Sequence, residues 1–297
     1  LICRKPFHQG AISFGCGQCL PCRLNRRRLW THRILLESLT HNENSFVTLT
    51  YSDEHLPKGG ALAPGDVQNW LKRLRKDIYP RKVRYYLVGE YGDTTFRPHY
   101  HAALFGLGGC ELGLLDRYER SKCDCNNCER LRRTWPFGFT DCGNLNWDSA
   151  QYLAGYVTKK MTNKSDPRLN GKYPEFARMS LRPGIGAAYM GNVAEAMGGV
   201  LLDDDVPGTL RTGGKLAPLG RYLRGKLREE YGMDSKTPDG WALRASEELR
   251  LMSEKYYDSS RYEATGKHFR DVENEKRKQK ALNKETKAKL FSIKGGI

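Results

Sequence analysis

At 297 residues the chain has room for one large domain or two ordinary ones, and 39% hydrophobic residues are enough to build a core. No apolar run approaches the ~18 residues that span a bilayer. The opening "LICRKPFHQG" carries charge with no apolar stretch behind it, so a soluble, intracellular protein is expected rather than a membrane or secreted one. Fifty Lys and Arg against thirty-four Asp and Glu, a formal net charge of +16, favour a polyanionic partner such as nucleic acid. The plainer alternative is a surface charged for solubility.

In chain order, residues 1–22 read as a Cys/Gly-rich loop region. A helix begins at Pro21, a favoured first helical residue, and runs through "CRLNRRRLWTHRILLESL". Arg23, Arg26, Arg27 and Arg28 decorate it, with Leu24, Trp30, Ile34 and Leu35 interleaved. That pattern suits either a solvated basic face or a contact with a phosphate backbone. "SFVTLTY" is a β-branched and aromatic strand over 46–51. Asp66 is expected to cap a helix through Ile78, with Val67, Trp70, Leu71 and Leu74 on its apolar face. "KVRYYLVGE" at 82–90 and "PHYHAALFG" from 98 form an antiparallel hairpin with a longish loop. Residues 107–133 read as a Cys-rich insertion. Strand character resumes near 137–143, and Asp148 is expected to cap the helix "SAQYLAGYVTKKM". Beyond residue 164 the pattern is mostly helical and ends in a basic, Lys-rich tail.

Nine cysteines in an intracellular chain are not expected to pair as disulfides. Eight of them fall into two groups of four, Cys3, Cys16, Cys19 and Cys22, then Cys110, Cys123, Cys125 and Cys128. Each group supplies four thiolates, enough for a structural zinc. Cys142 reads as a small core residue.

The chemistry concentrates in "RPHYHAALF". Alternate strand residues face one side, so His99 and His101 share a face with Ala103 and Phe105, while Tyr100, Ala102 and Leu104 take the other. Glu90 ends the preceding strand and the hairpin brings it alongside. Two imidazoles and one carboxylate leave open positions for water and a phosphate oxygen. The set fits Mg or Mn with modest affinity, and zinc would bind it as well. In "YLAGYVTKK", Tyr152 and Tyr156 stand one helical turn apart, with Lys159 and Lys160 following. A tyrosine hydroxyl beside an ammonium ionises more readily and could attack a phosphodiester.

The order "FVTLTY", "RPHYHAALF", "YLAGYVTKK" resembles the three motifs of HUH-type rolling-circle replication initiators, and the match is close to the initiators of gokushovirus-like microviruses, single-stranded DNA phages. "CGQCLPCRLNRRRLW", "TLTYSDEHLP" and "MSLRPGIGAAY" resemble that family too, so the likeness spans roughly the first 190 residues. It implies an α+β fold, a central antiparallel sheet flanked by helices, with the metal and tyrosines on the open face. Cys-rich loop additions and a mostly helical C-terminal region would complete it. Expected segments are a Cys-rich part and basic helix over 1–45, a catalytic domain over 46–163 and a C-terminal region over 164–297.

The resemblance further implies a site-specific nick in one DNA strand, a 5′-phosphotyrosine link and a freed 3′-hydroxyl. His99, His101 and Glu90 would hold the metal. Tyr152 and Tyr156 would be the nucleophiles, with Lys159 or Lys160 assisting. Thr48 and Thr50 would be scaffold near the DNA. None of the Gly-Lys pairs (171–172, 214–215, 225–226, 266–267) is followed by Ser or Thr, so no P-loop and no built-in helicase is expected. A host helicase and polymerase in the bacterial cytoplasm would then be required. A relaxase or single-strand transposase is a rival of the same fold. A zinc-stabilised DNA-binding regulator without catalysis is the rival of another class, and it leaves the histidine and tyrosine pairs unexplained.

Overall fold

The computed structural model describes residues 3–9, 12–156, 165–198, 205–236, 266 and 269–294. In chain order the elements are β1 (Phe7–Gln9), β2 (Ile12–Phe14), α1 (Leu20–Ser38), β3 (Asn44–Tyr51), α2 (Pro64–Asp77), β4 (Arg84–Tyr91) and β5 (Pro98–Phe105). There follow α3 (Arg117–Lys122), α4 (Asn126–Thr134), β6 (Gly138–Asn144), α5 (Trp147–Gly155), β7 (Phe176–Met179) and α6 (Met190–Ala196). The last are β8 (Thr209–Thr212), β9 (Lys215–Pro218), α7 (Gly220–Glu230) and α8 (Phe269–Lys294). The chain divides into two compact units, Leu1–Arg26 with Met233–Ile297, and Arg27–Gly232.

In the first unit β1 and β2 pair as an antiparallel hairpin, Phe7 opposite Phe14, where the sequence suggested only loop. Three-residue strands carry too little pattern to announce themselves; pairing makes them. The Lys-rich end is not a frayed tail but the 26-residue helix α8. It buries Ala281 and Glu285, and Glu285 accepts an ion pair from Arg4 at 3.2 Å.

The second unit is an α+β fold built on a five-stranded antiparallel sheet in the order β6-β3-β5-β4-β7. Strand alternation divides its side chains between two cores. On one face Val47, Leu49, Tyr51, Leu87, Tyr100, Ala102 and Leu104 pack against Val67, Trp70, Leu71 and Leu74 of α2 and Leu131 of α4. On the other, Tyr86, Val88, Ala103 and Phe105 meet Ile34 of α1 and Ala150 and Leu153 of α5. The histidine face is therefore open only toward one end, because two helices cover the rest. A third apolar cluster joins α6 and α7 through Met190, Val193, Leu223 and Leu227.

Two helix starts differ from expectation. Helix α2 begins at Pro64, with Ala63 and not Asp66 at the N-cap. Proline at the first position needs no N–H partner and presets φ, and the Ala63 N–H donates to Tyr100 Oη at 2.8 Å. Asp66 sits inside the first turn and accepts from Tyr51 Oη at 2.8 Å. Likewise Asn146, not Asp148, caps α5, in a reciprocal capping box with Ser149. Strand β7, unannounced in "EFARMS", pairs with β4 along Gly89–Tyr86. Gly138 opens β6 at φ +153°, where a Cβ would lie 2.4 Å from the Ser52 nitrogen, so glycine lets the edge strand close on β3.

Candidate active site

Register assembles the site. Pairing of β4 with β5 sets Glu90 opposite His99 and Val88 opposite His101, while β3 sets Thr50 opposite His99 and Thr48 opposite His101. The Nε2 atoms of both histidines converge on one oxygen, Glu90 Oε1, at 2.7 Å from His99 and 3.2 Å from His101. Glu90 is 2% exposed, so its carboxylate needs a cationic partner to offset its lost hydration.

The hydrogen bonds behind the rings say what that partner could be. His99 Nδ1 lies 3.1 Å from the Arg97 carbonyl, which only accepts, so Nδ1 carries the proton and Nε2 presents a lone pair to Glu90. His101 Nδ1 is 3.0 Å from Thr48 Oγ1. Burial holds the His101 imidazole below its ordinary value, against the pull of Glu90, and the positive charges of His99 and Arg117 add to the depression. Neutral imidazole is the ligating form. Two imidazole lone pairs facing a buried carboxylate oxygen, with all three ligand atoms within 4.8 Å of one another, fit a divalent metal.

Helix α5 delivers the tyrosines to the same place. Tyr152 Oη stands 3.5 Å from His101 Nε2, and the residue is 36% exposed. The Tyr156 ring stacks on the His101 ring at 5.7 Å and 9°, and Phe46 stacks on it at 5.6 Å and 10°. Burial pushes the Tyr156 phenol well above the ordinary tyrosine range, with Glu90 and Tyr152 adding to the shift. Lys159 and Lys160 lie outside the described residues.

The sequence reading missed Thr48 as an orienting partner of His101. A threonine on the ligand face of the neighbouring strand was the available signal. Of the helix arginines, Arg27 and Arg28 work inside the second unit: Arg27 Nε donates to the Gln151 carbonyl of α5 at 3.1 Å, and Arg28 Nη2 to the Leu216 carbonyl at 3.0 Å. Arg23 and Arg26 belong to the first unit.

Both cysteine groups are assembled, and none of the nine thiols is in a disulfide. Within each group the four sulfurs lie within 4.8 Å of one another. Measured edges are 3.8 Å for Cys3–Cys19, 3.6 Å for Cys110–Cys123 and 4.0 Å for Cys110–Cys125. A tetrahedral zinc with Zn–S of ~2.3 Å has S···S edges of about 3.8 Å. Backbone N–H groups point at the sulfurs, as Cys16 to Cys3 at 3.2 Å and Glu111 to Cys125 at 3.4 Å. The N–H groups of Cys19 and Gln18 pull the Cys16 thiol down to about 6. Against a desolvation that raises it, those of Cys128 and Glu111 bring Cys125 down to about 7. Both sets can hold zinc.

The family profile for replication-associated proteins of the ORF2 type matches residues 44–161, from β3 through the tyrosine helix. The chain is 32% identical over 232 residues to the replication-associated protein ORF2 of Spiroplasma virus 4, across 74% of this chain and 69% of that protein. It is 34% identical over 163 residues to the replication-associated protein VP4 of Bdellovibrio phage phiMH2K, across 52% of this chain. It is 31% identical over 159 residues to the replication-associated protein ORF4 of Chlamydia phage 1. The matched stretch spans about half the length of the Bdellovibrio phage protein, 51%, and 39% of the Chlamydia phage protein. No solved structure matches the chain. By its similarity to the Spiroplasma virus protein over most of both chains, this chain belongs to the family of phage replication-associated proteins, the microvirus-type rolling-circle initiators its three motifs resemble.

Proposed function

We propose that this chain starts phage DNA replication by nicking one strand at the origin, with Tyr152 as the first nucleophile and Mg or Mn held by Glu90, His99 and His101. The observation that carries the reading is Tyr152 Oη, solvent-accessible and 3.5 Å from one of the ligand nitrogens. When bound, the cation supplies stabilisation of the charge that builds on the phosphate oxygens.

Tyr152 Oη attacks phosphorus, its P–O bond forms as the bond to the 3′ oxygen breaks, the phenol loses its proton and the leaving oxygen takes one up. The products are a 5′-phosphotyrosine and a 3′-hydroxyl, with no co-reactant. Tyr156, held protonated by its burial, serves the second cleavage. The 3′-hydroxyl that this frees attacks the first phosphotyrosine, rejoining the strand and returning Tyr152. A host polymerase would extend the first 3′-hydroxyl and a host helicase would unwind, in the bacterial cytoplasm. Among the described residues no helix is long and apolar enough to cross a membrane. Each cysteine group holds a zinc as a structural clip.

The test incubates the protein with supercoiled origin DNA and Mg or Mn and looks for a nick with protein on the 5′ phosphate. Wild type should form the adduct, Tyr152→Phe should lose the first cleavage, and the double Tyr152→Phe, Tyr156→Phe variant should bind DNA without any adduct. DNA binding by wild type with no metal-dependent adduct overturns the reading in favour of a zinc-stabilised DNA-binding regulator. An adduct that survives Tyr152→Phe and disappears with Tyr156→Phe reverses the order of the tyrosines.

A further inference from the structure

The sheet face that carries the metal-ligand candidates continues past them to the edge strand. Phe139 and Asp141 of β6 stand opposite Thr50 and Thr48, which in turn stand opposite His99 and His101. Neighbouring strands are about 4.8 Å apart, so Phe139 lies about 10 Å from His99 on the same face. Helices α1 and α5 cover this face around Ala103 and Phe105. At the β6 corner, by contrast, Phe139 is 66% exposed. A large aromatic ring left in water on a sheet, level with a candidate site, is surface that folding does not use.

The insertion adds charge at the same corner. Asp141 is buried and already matched by Arg120, whose Nε and Nη2 reach its two oxygens at 2.7 and 3.2 Å. The remaining donors of Arg120 go to the Leu114 and Leu115 carbonyls. Arg117 approaches Asp141 only at 3.8 Å and its side chain is 64% exposed. With Asp141 neutralised by Arg120, Arg117 leaves the corner net positive. Its helix is pinned at both ends: Asp116 accepts from the Tyr118 and Glu119 N–H groups, and Cys123 of the second thiolate group caps the other end. The insertion thus packs its cysteines into the core under one face of β6 and sends Arg117 and Arg120 over the edge to the other.

We infer that Phe139 and Arg117 form a docking subsite for single-stranded DNA beside the scissile phosphodiester, Phe139 stacking on an unpaired base and Arg117 pairing with a backbone phosphate. An aromatic platform next to a cationic groove is how unpaired strands are held without sequence readout, and the chain's +16 charge suits that occupant. The inference rests on the nicking reading for what the strand is held beside, but not for the holding itself.

The probe is a short fluorescein-labelled oligothymidylate, titrated by anisotropy at several salt concentrations, with a second oligonucleotide carrying one 2-aminopurine to report stacking. Phe139→Ala should weaken binding about tenfold or more and lose the 2-aminopurine quenching, as expected for one stacked base, while Phe139→Trp keeps both. Arg117→Gln should reduce the slope of log affinity on log salt by about 0.7, one phosphate contact on a single strand, and Arg117→Lys should keep it. Both side chains are exposed, so a thermal melt should show all four variants folded. Wild-type affinity and salt slope in both Phe139→Ala and Arg117→Gln overturn the subsite. Adduct formation by the wild type, read in parallel, separates the two readings. An adduct with unaffected oligonucleotide binding in the variants removes the subsite alone, and lost binding in the variants with no wild-type adduct removes the nicking alone.

Discussion

Thr48→Val is the sharpest test of how the site holds a metal. The substitution keeps the shape of a buried side chain and removes the hydroxyl 3.0 Å from His101 Nδ1. If Nε2 is the ligating atom, Nδ1 carries the proton and donates to Thr48 Oγ1. In the valine variant that N–H has no acceptor there, and the site is too buried for water to replace it. An unsatisfied buried donor costs about 1–3 kcal/mol. Part of this falls on the fold and part on the ring orientation, which Phe46 and Tyr156 still constrain by stacking. Loss of a hydrogen bond behind a metal-ligating histidine typically weakens the metal about 10–100-fold, and that is the range expected for Mn²⁺ binding followed by calorimetry or electron paramagnetic resonance. Thr48→Ser should retain most of the affinity. Wild-type Mn²⁺ affinity in Thr48→Val would refute the assignment of Nδ1 as donor, and with it the orientation of the whole ligand set.

Purified protein should contain about two zinc ions per chain, one for each tetrathiolate set; Cys125→Ser should lower this to about one by elemental analysis, and unchanged zinc would show that the second set is not a zinc clip. Removing zinc with a chelator should also lower the melting temperature, because structural zinc contributes folding free energy. Burial holds the His32 imidazole below its ordinary value, against the pull of the Pro218 carbonyl. The unfolded chain, with an ordinary histidine pKa of about 6.5, takes up that proton first. Stability should therefore fall as pH drops through about 6.5, and His32→Gln should flatten the dependence of the urea midpoint on pH in that window. An unchanged slope would mean that His32, despite its bonds to Pro218 and Thr212, is not the group that titrates.

Much of the frame was legible because it rests on long, regular signals. Strands of eight residues with β-branched and aromatic side chains, such as "NSFVTLTY" and "PHYHAALF", state their own period. Alternation alone places His99 and His101 on one face, and a hairpin of the right length lays Glu90 beside them. What stayed hidden depends on pairing between distant segments. "FARM" carries no strand pattern and becomes β7 only because β4 offers it an edge. Asp66 and Asp148 look like caps, yet Pro64 and the Asn146–Ser149 box start their helices earlier. The structural use of Arg27 was equally invisible, since its acceptor is a carbonyl 124 residues further on.

The insertion shows why such long-range pairing matters for function. By sequence it is a loop with four cysteines, and a loop of this length would ordinarily be mobile surface. Its cysteines, with Leu131 and Trp135 behind them, instead form part of the main core. That anchorage changes what its arginines can do. A guanidinium on a free loop loses rotamer entropy each time it binds a phosphate. Arg117, carried on a capped helix whose end is set by Cys123, is already placed at the rim of the histidine face. The second thiolate group and the tyrosine site are thus joined through one edge strand: Cys142 points from β6 into the core beside the cysteines, and Phe139 and Asp141 point from the same strand toward the histidine side. Loss of zinc from the insertion should consequently weaken single-strand binding by the same residues that Phe139→Ala and Arg117→Gln remove, and combining chelation with Arg117→Gln should add little to either alone.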